Sequence, residues 1–373
     1  MKFQIEKAKF LNALNLVSGA IPNKATIQVL NNFALRLEGN SLEVSATDLD
    51  LGIRIRVDVQ GELDGAVVIN ARKLLDLVKS LIDPKIVNLS LEVVDYLVTI
   101  RWSERGKASI TGFSIDDFPP FPEMENGTSF QLGKSELEFL AGKTLFATSN
   151  DPTRASLNGA YIEVKDNQLV MVATDGHRLG KAFIDVENCT LEHGVILPPK
   201  AVQYALKSIS PEATLEIRVS DKNLLFTSEG VQVFSKLIEG PYPKYDAVIP
   251  SNFSRTVQVN RTDFINKISS VISMANSRTR MIRLQLDGNQ MELSANDPNV
   301  GGDSTEAISV THEGEGVYSI GFNGSYLSDV LKLAQSDDVI LKMNGPVSAC
   351  VIEPVGSDMN CMFLLMPLRL VED

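Results

Sequence analysis

Three cysteines and three histidines in 373 residues leave little material for redox or metal chemistry. Cys189, Cys350 and Cys361 are scattered and odd in number, which argues against a disulfide framework and fits a reducing cytoplasm. No Cys-x-x-Cys pair accompanies His177, His193 or His312, so no zinc site is expected. No phosphate-cradling glycine loop and no serine elbow occur, so no cofactor is expected either. No apolar run approaches the roughly 18 residues that a bilayer span requires. The opening residues, Met1 to Glu6, alternate like a strand and lack a signal peptide's apolar block. Positive charge is also short. The formal net charge is −12, which at first sight speaks against a phosphate backbone as partner. An apolar share of 44% is enough to bury several cores.

What the chain does have is repetition. Ala173-Thr174-Asp175-Gly176 is preceded by Ala46-Thr47-Asp48 and followed by Ala295-Asn296-Asp297. The spacing of roughly 125 residues is too long for a solenoid repeat and matches one whole domain. The surrounding pattern recurs with it. Each copy opens with a strand and an amphipathic helix, over 7–20, 134–148 and 261–275. A hairpin follows, turning at Gly39-Asn40, Asp166-Asn167 and Gly288-Asn289. A second strand and helix come next, over 71–81, 199–209 and 325–334, and further strands close each unit. Proline clusters at 118–122 and 241–250 mark the borders. The reading is three domains, 1–125, 126–252 and 253–373, of α+β class. Two helices cannot cover both faces of so much antiparallel sheet, so each pair belongs on one face. Joined edge to edge, the three units predict one extended curved sheet with the helices lined up on one side.

The positive charge is unevenly spread. The six helices carry about twelve basic and six acidic side chains, leaving the remainder of the chain at about −18. Lysine and arginine are good helix formers, and that alone accounts for basic helices. The functional alternative is a surface following a phosphate backbone, since a helix of about 12 residues spans roughly 18 Å. No zinc-finger spacing and no aromatic-basic interleaving is present, so any such binding is directed by shape and salt rather than by base sequence.

Three words together resemble one family: 173–179 (ATDGHRL), 237–245 (LIEGPYPKY) and 366–370 (MPLRL). In order and on the triplicate frame, they resemble the corresponding words of the bacterial sliding clamps, the beta subunits of DNA polymerase III. The resemblance covers the whole chain. It implies a head-to-tail homodimer closing into a six-domain ring, with helices lining the hole, that slides without sequence preference on double-stranded DNA. It implies a processivity factor and not an enzyme, with the polymerase III alpha subunit, the clamp loader and other proteins bearing a clamp-binding motif as partners, and no membrane.

Carried over by position, the resemblance assigns a partner-peptide cleft to Leu157, Thr174, Gly176, His177, Arg178 and Leu179, completed by Pro243, Val248, Leu364, Met366, Pro367, Leu368 and Arg369. Leucine, methionine and proline suit an apolar trough that repacks around varied peptides. It assigns DNA contacts to Lys24, Arg72, Arg154 and Lys200, and apolar dimer positions to Ile110 and Met274. Ala247 stands where some members carry arginine, and Leu368 where methionine or valine occurs. Val371, Glu372 and Asp373 continue past the final word.

The rival reading treats Asp175, His177 and Arg178 as an acid, a base and an electrostatic clamp. Against it, the aspartate recurs in the other two copies without the histidine, which suits a residue holding a turn at a strand end.

Overall fold

The computed structural model describes residues 1–24, 27–124, 126–187, 189, 191–297, 301–356 and 360–370. Six α-helices occur among them: α1 (Lys7–Val17), α2 (Ala71–Ser80), α3 (Lys134–Thr144), α4 (Pro199–Ser208), α5 (Arg261–Ile272) and α6 (Gly324–Ala334). Each follows directly on a strand or a short extended link. Asparagine starts three of them: the side-chain oxygens of Asn70, Asn260 and Asn323 accept the amides of Lys73, Asp263 and Tyr326. This satisfies first-turn donors that have no intrahelical partner. In α3, Glu136 instead reaches back to the amide of Gly133 at 2.7 Å.

The chain divides into two compact units, one chiefly of residues 1–137 and 197–237, the other chiefly of 138–187 and 238 onward. The first unit holds two antiparallel sheets. One has five strands in the order Gln60–Leu63, Lys2–Glu6, Asn88–Val94, Leu97–Arg101, Lys107–Thr111. The other has eight, in the order Thr128–Gly133, Thr214–Val219, Asn223–Ser228, Val231–Lys236, Leu51–Asp58, Ser41–Thr47, Asn32–Glu38, Gly65–Asn70. α1 packs on the strands 41–47 and 51–58 and on α2, while α4 packs on 231–236. Phe10, Ala13, Leu14 and Val17 are the buried face of α1, with the Phe10 ring edge-on to Phe3. Fully buried Phe10, Leu14 and Val17 each contribute about 1.5–3 kcal/mol.

The second unit repeats the plan. Its nine-stranded sheet runs Val195–Leu197, Ala160–Lys165, Gln168–Thr174, Arg178–Asp185, Cys361–Leu365, Cys350–Pro354, Asp338–Met343, Arg255–Asn260, Thr311–Glu313. Its four-stranded sheet runs Asp303–Ser309, Gln290–Asn296, Met281–Asp287, Tyr318–Asn323. α5 and α6 pack together, burying Phe264, Ile268 and Val271 against Leu327, Val330, Leu331 and Ala334.

The expectation of one continuous sheet is therefore corrected to four. Each repeat divides its strands between two sheets, and consecutive repeats complete a sheet between them. Strand 51–58 of the first copy pairs with 231–236 of the second, and 178–185 of the second pairs with 361–365 of the third. The physical reason is that a strand edge left open within one repeat finds its backbone partners in the next.

The helix charges also differ from the simple count. Lys7, Lys134 and Arg261 each begin the first helix of a repeat, and each donates to a carbonyl just past the second helix of the same repeat. The acceptors are Leu81 at 2.9 Å, Ile209 at 2.9 Å and Ser336 at 2.5 Å. A cation here neutralises the negative helix end and fills an orphan carbonyl. Lys143 is buried and does the same to α6, donating to the Leu333 carbonyl at 2.6 Å and to Gln335 Oε1 at 2.5 Å. Burial pushes its pKa below the usual lysine value. Lys73, Lys79, Lys207 and Lys332 remain exposed on their helices.

Replacing Lys134 with methionine keeps the apolar stem and removes the donor. Urea unfolding is expected to show a loss of about 1–2 kcal/mol. Lys9→Met, at an exposed position 4.0 Å from Glu6, is expected to change stability by less than about 0.5 kcal/mol.

Candidate functional site

The recurring aspartate word builds a turn, and it builds the same turn twice. At the end of strand 168–174, Asp175 Oδ1 accepts the amides of His177 at 2.8 Å and Arg178 at 3.0 Å. Thr174 Oγ1 donates to the Arg178 carbonyl at 2.7 Å and accepts the Gly176 amide at 3.1 Å. In the first repeat, Asp48 Oδ1 accepts the amides of Asp50 at 3.0 Å and Leu51 at 2.7 Å, and Thr47 Oγ1 bonds the Leu51 carbonyl and the Leu49 amide. Gly176 has φ +90°, and Leu49, its counterpart, has φ +77°. A leucine thus tolerates the left-handed position, at the usual cost of about 1–2 kcal/mol. The distinguishing effect of Gly176 is a turn without a side chain beside His177, which is exposed. The third copy continues into 298–300, outside the described residues.

Around the second turn the sheet register collects the residues of the final sequence word. Leu179 pairs with Leu364 and Arg178 with Leu365, and the Met366 amide donates to the His177 carbonyl at 2.8 Å. Leu368 then bridges to Gly321, its amide donating at 2.8 Å. Leu179, Leu364, Val170, Val172, Tyr245 and Ala349 form one buried cluster, flanked by Tyr242, Phe183 and Ile249. Leu157 is buried, whereas Val248 is 54% and Met366 39% exposed. Pro243, Ala247 and Arg369 are exposed, and Thr174, Pro367 and Leu368 are half-buried. Residues 371–373 lie outside the described residues. The linker is pinned by its polar groups. Tyr245 donates to Glu163 at 2.5 Å, and Lys165 and Lys181 flank Asp246 at 3.0 and 3.4 Å. Burial raises the Tyr242 and Tyr245 phenols, while at Asp246 burial is outweighed by the two lysines, which hold the carboxyl low.

Arg178 sits differently from the residues beside it. Its side chain is 15% exposed, pairing with Asp175 at 3.1 Å and with Asp329 of α6 at 3.0 Å. Its guanidinium carbon lies 4.3 Å from the Tyr326 ring centre and 5.4 Å from that of Phe146. Phe146, Tyr326 and Asp329 carried no sequence signal, because they meet Arg178 only through the fold.

Family models for the DNA polymerase III beta subunit match the chain throughout: the N-terminal domain over 1–122, the central domain over 131–244 and the C-terminal domain over 246–369. The chain belongs to the DNA polymerase III beta subunit family. Such subunits are the sliding clamps of DNA replication, processivity factors rather than enzymes. The Vibrio cholerae beta sliding clamp is 32% identical, aligned over 99% of this chain and 100% of its own length. The fold matches the Pseudomonas aeruginosa DnaN sliding clamp bound to griselimycin with a TM-score of 0.93 at 29% identity, over 99% of this chain and 100% of that one. It matches the Bacillus subtilis clamp at 0.92 and 25% identity, over the full length of both.

In this clamp chain the turn geometry weighs against the enzyme reading. Both oxygens of Asp175 are engaged in holding the loop, as Asp48 Oδ1 is in a copy that has no histidine. Among the described residues, no group of three or more His, Cys, Asp or Glu is placed to hold a metal, and no helix is long and apolar enough to cross a membrane.

The basic positions carried over from the resemblance are dispersed. Lys24 is an exposed loop residue, Arg72 is 93% exposed on α2, and Lys200 lies 3.4 Å from Asp48. Arg154 belongs to the Asp175 turn, donating to its carbonyl at 3.4 Å and pairing with Asp151. Ile110 is half-buried on strand 107–111, and Met274 is 46% exposed after α5.

The first unit has a polar depression of about 320 Å³, lined by Arg36, Glu38, Glu43, Arg54, Arg56 and Glu123 beside Phe121. Its charges balance. Arg54 stacks 4.3 Å over the Phe121 ring, which itself covers Gly52, and Arg54 also binds Gln232.

Asp175→Ala and Asp48→Ala are expected to destabilise the protein by similar amounts, about 2 kcal/mol each in urea unfolding, because each strips two amides of their acceptor. Asp175→Asn, which retains an oxygen acceptor, is expected to lose less.

Proposed function

We propose that this clamp works as a head-to-tail homodimer of three domains per copy, 1–125, 126–252 and 253–373, closed around duplex DNA. One observation carries this reading. Two kinds of strand edge pair inside the chain, that of 51–58 with 231–236 and that of 178–185 with 361–365. The counterparts of these edges at the two ends are Lys107–Thr111 and Asp303–Ser309. Each is the outermost strand of its sheet, with one neighbour, 97–101 and 290–296 respectively. An open edge of each kind on every copy suits a third ladder between copies, and a heterologous contact of this sort closes into a ring when its rotation allows. Lys107 and Arg105 near one edge complement Asp303 on the other. Ile110 would supply apolar contact on the first edge and Met274 beside the second. Exposed Lys24, Arg72 and Lys200 would follow the backbone electrostatically, with no base reading.

The partner surface in this proposal is the trough between the Asp175 turn and the C-terminal word. Buried Leu157, Leu179 and Leu364 would form its floor and exposed Val248, Pro243 and Met366 its walls, around one short apolar peptide at a time. His177, Pro367, Leu368 and Arg369 would line its far end. The polymerase alpha subunit and the clamp loader would compete for it. Griselimycin, bound in the Pseudomonas aeruginosa and Bartonella birtlesii clamps, would occupy it here.

Solution mass tests the ring: twice the chain mass of 40.8 kDa is expected, and Ile110→Asp is expected to halve it. Protein loaded on nicked circular DNA is expected to stay through a gel-filtration column and to be lost once the circle is linearised. A persistent monomer, or equal retention on both forms, would end this reading. For the trough, Met366→Asp is expected to weaken griselimycin binding by about thirtyfold or more, the scale of a hot-spot loss, with the dimer mass unchanged.

A further inference from the structure

Arg178 lies in the sequence of the partner trough, yet its charge is directed elsewhere. The guanidinium joins Asp175, which organises the turn, to Asp329, which stands on α6. Asp329 is 151 residues away in sequence, belongs to a different repeat and has a half-exposed side chain. α6 is itself firmly placed. Asn323 caps its start, Lys143 and Gln335 close its end, and Leu327, Val330 and Leu331 are fully buried beneath it. The turn, in contrast, is a short loop held by the Asp175 carboxylate together with the Thr174 hydroxyl. It also sets the trough's two sides, since the His177 carbonyl holds the amide of Met366.

We propose that Asp329 is a positioning residue for the partner trough, acting through Arg178, so that occupancy of the trough and the state of α6 are coupled. This rests on the trough reading given above. The charge-assisted contact at 3.0 Å fixes the guanidinium. The fixed guanidinium orients Asp175, and Asp175 holds the amides of His177 and Arg178 where the trough needs them. The first repeat contains the same turn with leucine in place of the arginine, at Leu51, and so without a tether of this kind. By linkage, a ligand that tightens the turn tightens the hold on α6, and a change at α6 alters affinity for the ligand by the same factor.

The test uses the full-length protein and griselimycin as probe, with dissociation constants from calorimetry. Asp329→Asn is expected to bind about five- to tenfold more weakly, on the scale of losing one partly exposed charge-assisted contact, while the dimer mass is kept. Asp329→Glu is expected to recover most of the affinity. Combined with Arg178→Lys, Asp329→Asn is expected to add little to the loss already caused by the single lysine variant. Amide exchange at His177 and Arg178 is expected to quicken in Asp329→Asn, with exchange at Asp50 and Leu51 of the matching first-repeat turn unchanged. Native affinity and native exchange in Asp329→Asn, beside a loss in Met366→Asp, would overturn the coupling alone. Native affinity in Met366→Asp would overturn the trough reading and the coupling with it.

Discussion

The ladder between Arg178–Asp185 and Cys361–Leu365 is the contact on which the site depends. It is made of ordinary backbone hydrogen bonds, yet it brings the middle of the chain against its last strand. Leu179 faces Leu364 because the register requires it, and the Met366 amide meets the His177 carbonyl because the strand ends one step later. A slip of one residue would turn each leucine to the opposite face. Burial of the cluster around Val172, Tyr245 and Leu364 opposes such a slip. The corresponding ladder in the first unit, Val231–Lys236 on Leu51–Asp58, carries a different outcome on the same frame. There Phe121 of the linker lies over Gly52, the position matching Leu179, and Arg54 covers the ring.

Charge divides into holding and displaying roles. Lys7, Lys134 and Arg261 stand at equal spacings along the chain, and each ties the start of one helix to the end of its neighbour. The three contacts are one device written three times, and they fix each helix pair before any ligand arrives. Other basic side chains, among them Lys9, Arg72, Lys73, Lys79, Lys200, Lys207 and Lys332, are exposed on their helices. An acidic chain can therefore carry a basic helical surface without a basic composition.

Much of this was legible from residues whose constraints are local. The hairpin turns at Gly39-Asn40, Asp166-Asn167 and Gly288-Asn289 occur where their conformational demands placed them, with Asp166 and Asn167 both at positive φ. The helix starts at Lys7, Lys134, Pro199 and Arg261 followed from apolar periodicity. The aspartate word read as a turn, and it is one. Strand partnership was not legible. Nothing within strand 178–185 names residues 361–365 as its neighbour rather than a strand of its own repeat, whereas joining the three units edge to edge predicts a single sheet. The engagement of Arg178 was hidden for the same reason: an arginine in a loop next to an aspartate gives no hint of a second carboxylate a whole repeat away.

The shared sheets bear on how such a chain could arise. A lone ancestral module with this division of strands would present one unmatched edge of each kind, and copies of it would associate nose to tail until the circle was complete. Gene duplication and fusion would then invent no new surface. They would merely tether neighbours that already fitted, leaving the seams inside the longer chain free to specialise separately, one of them with Phe121 of the linker laid over it.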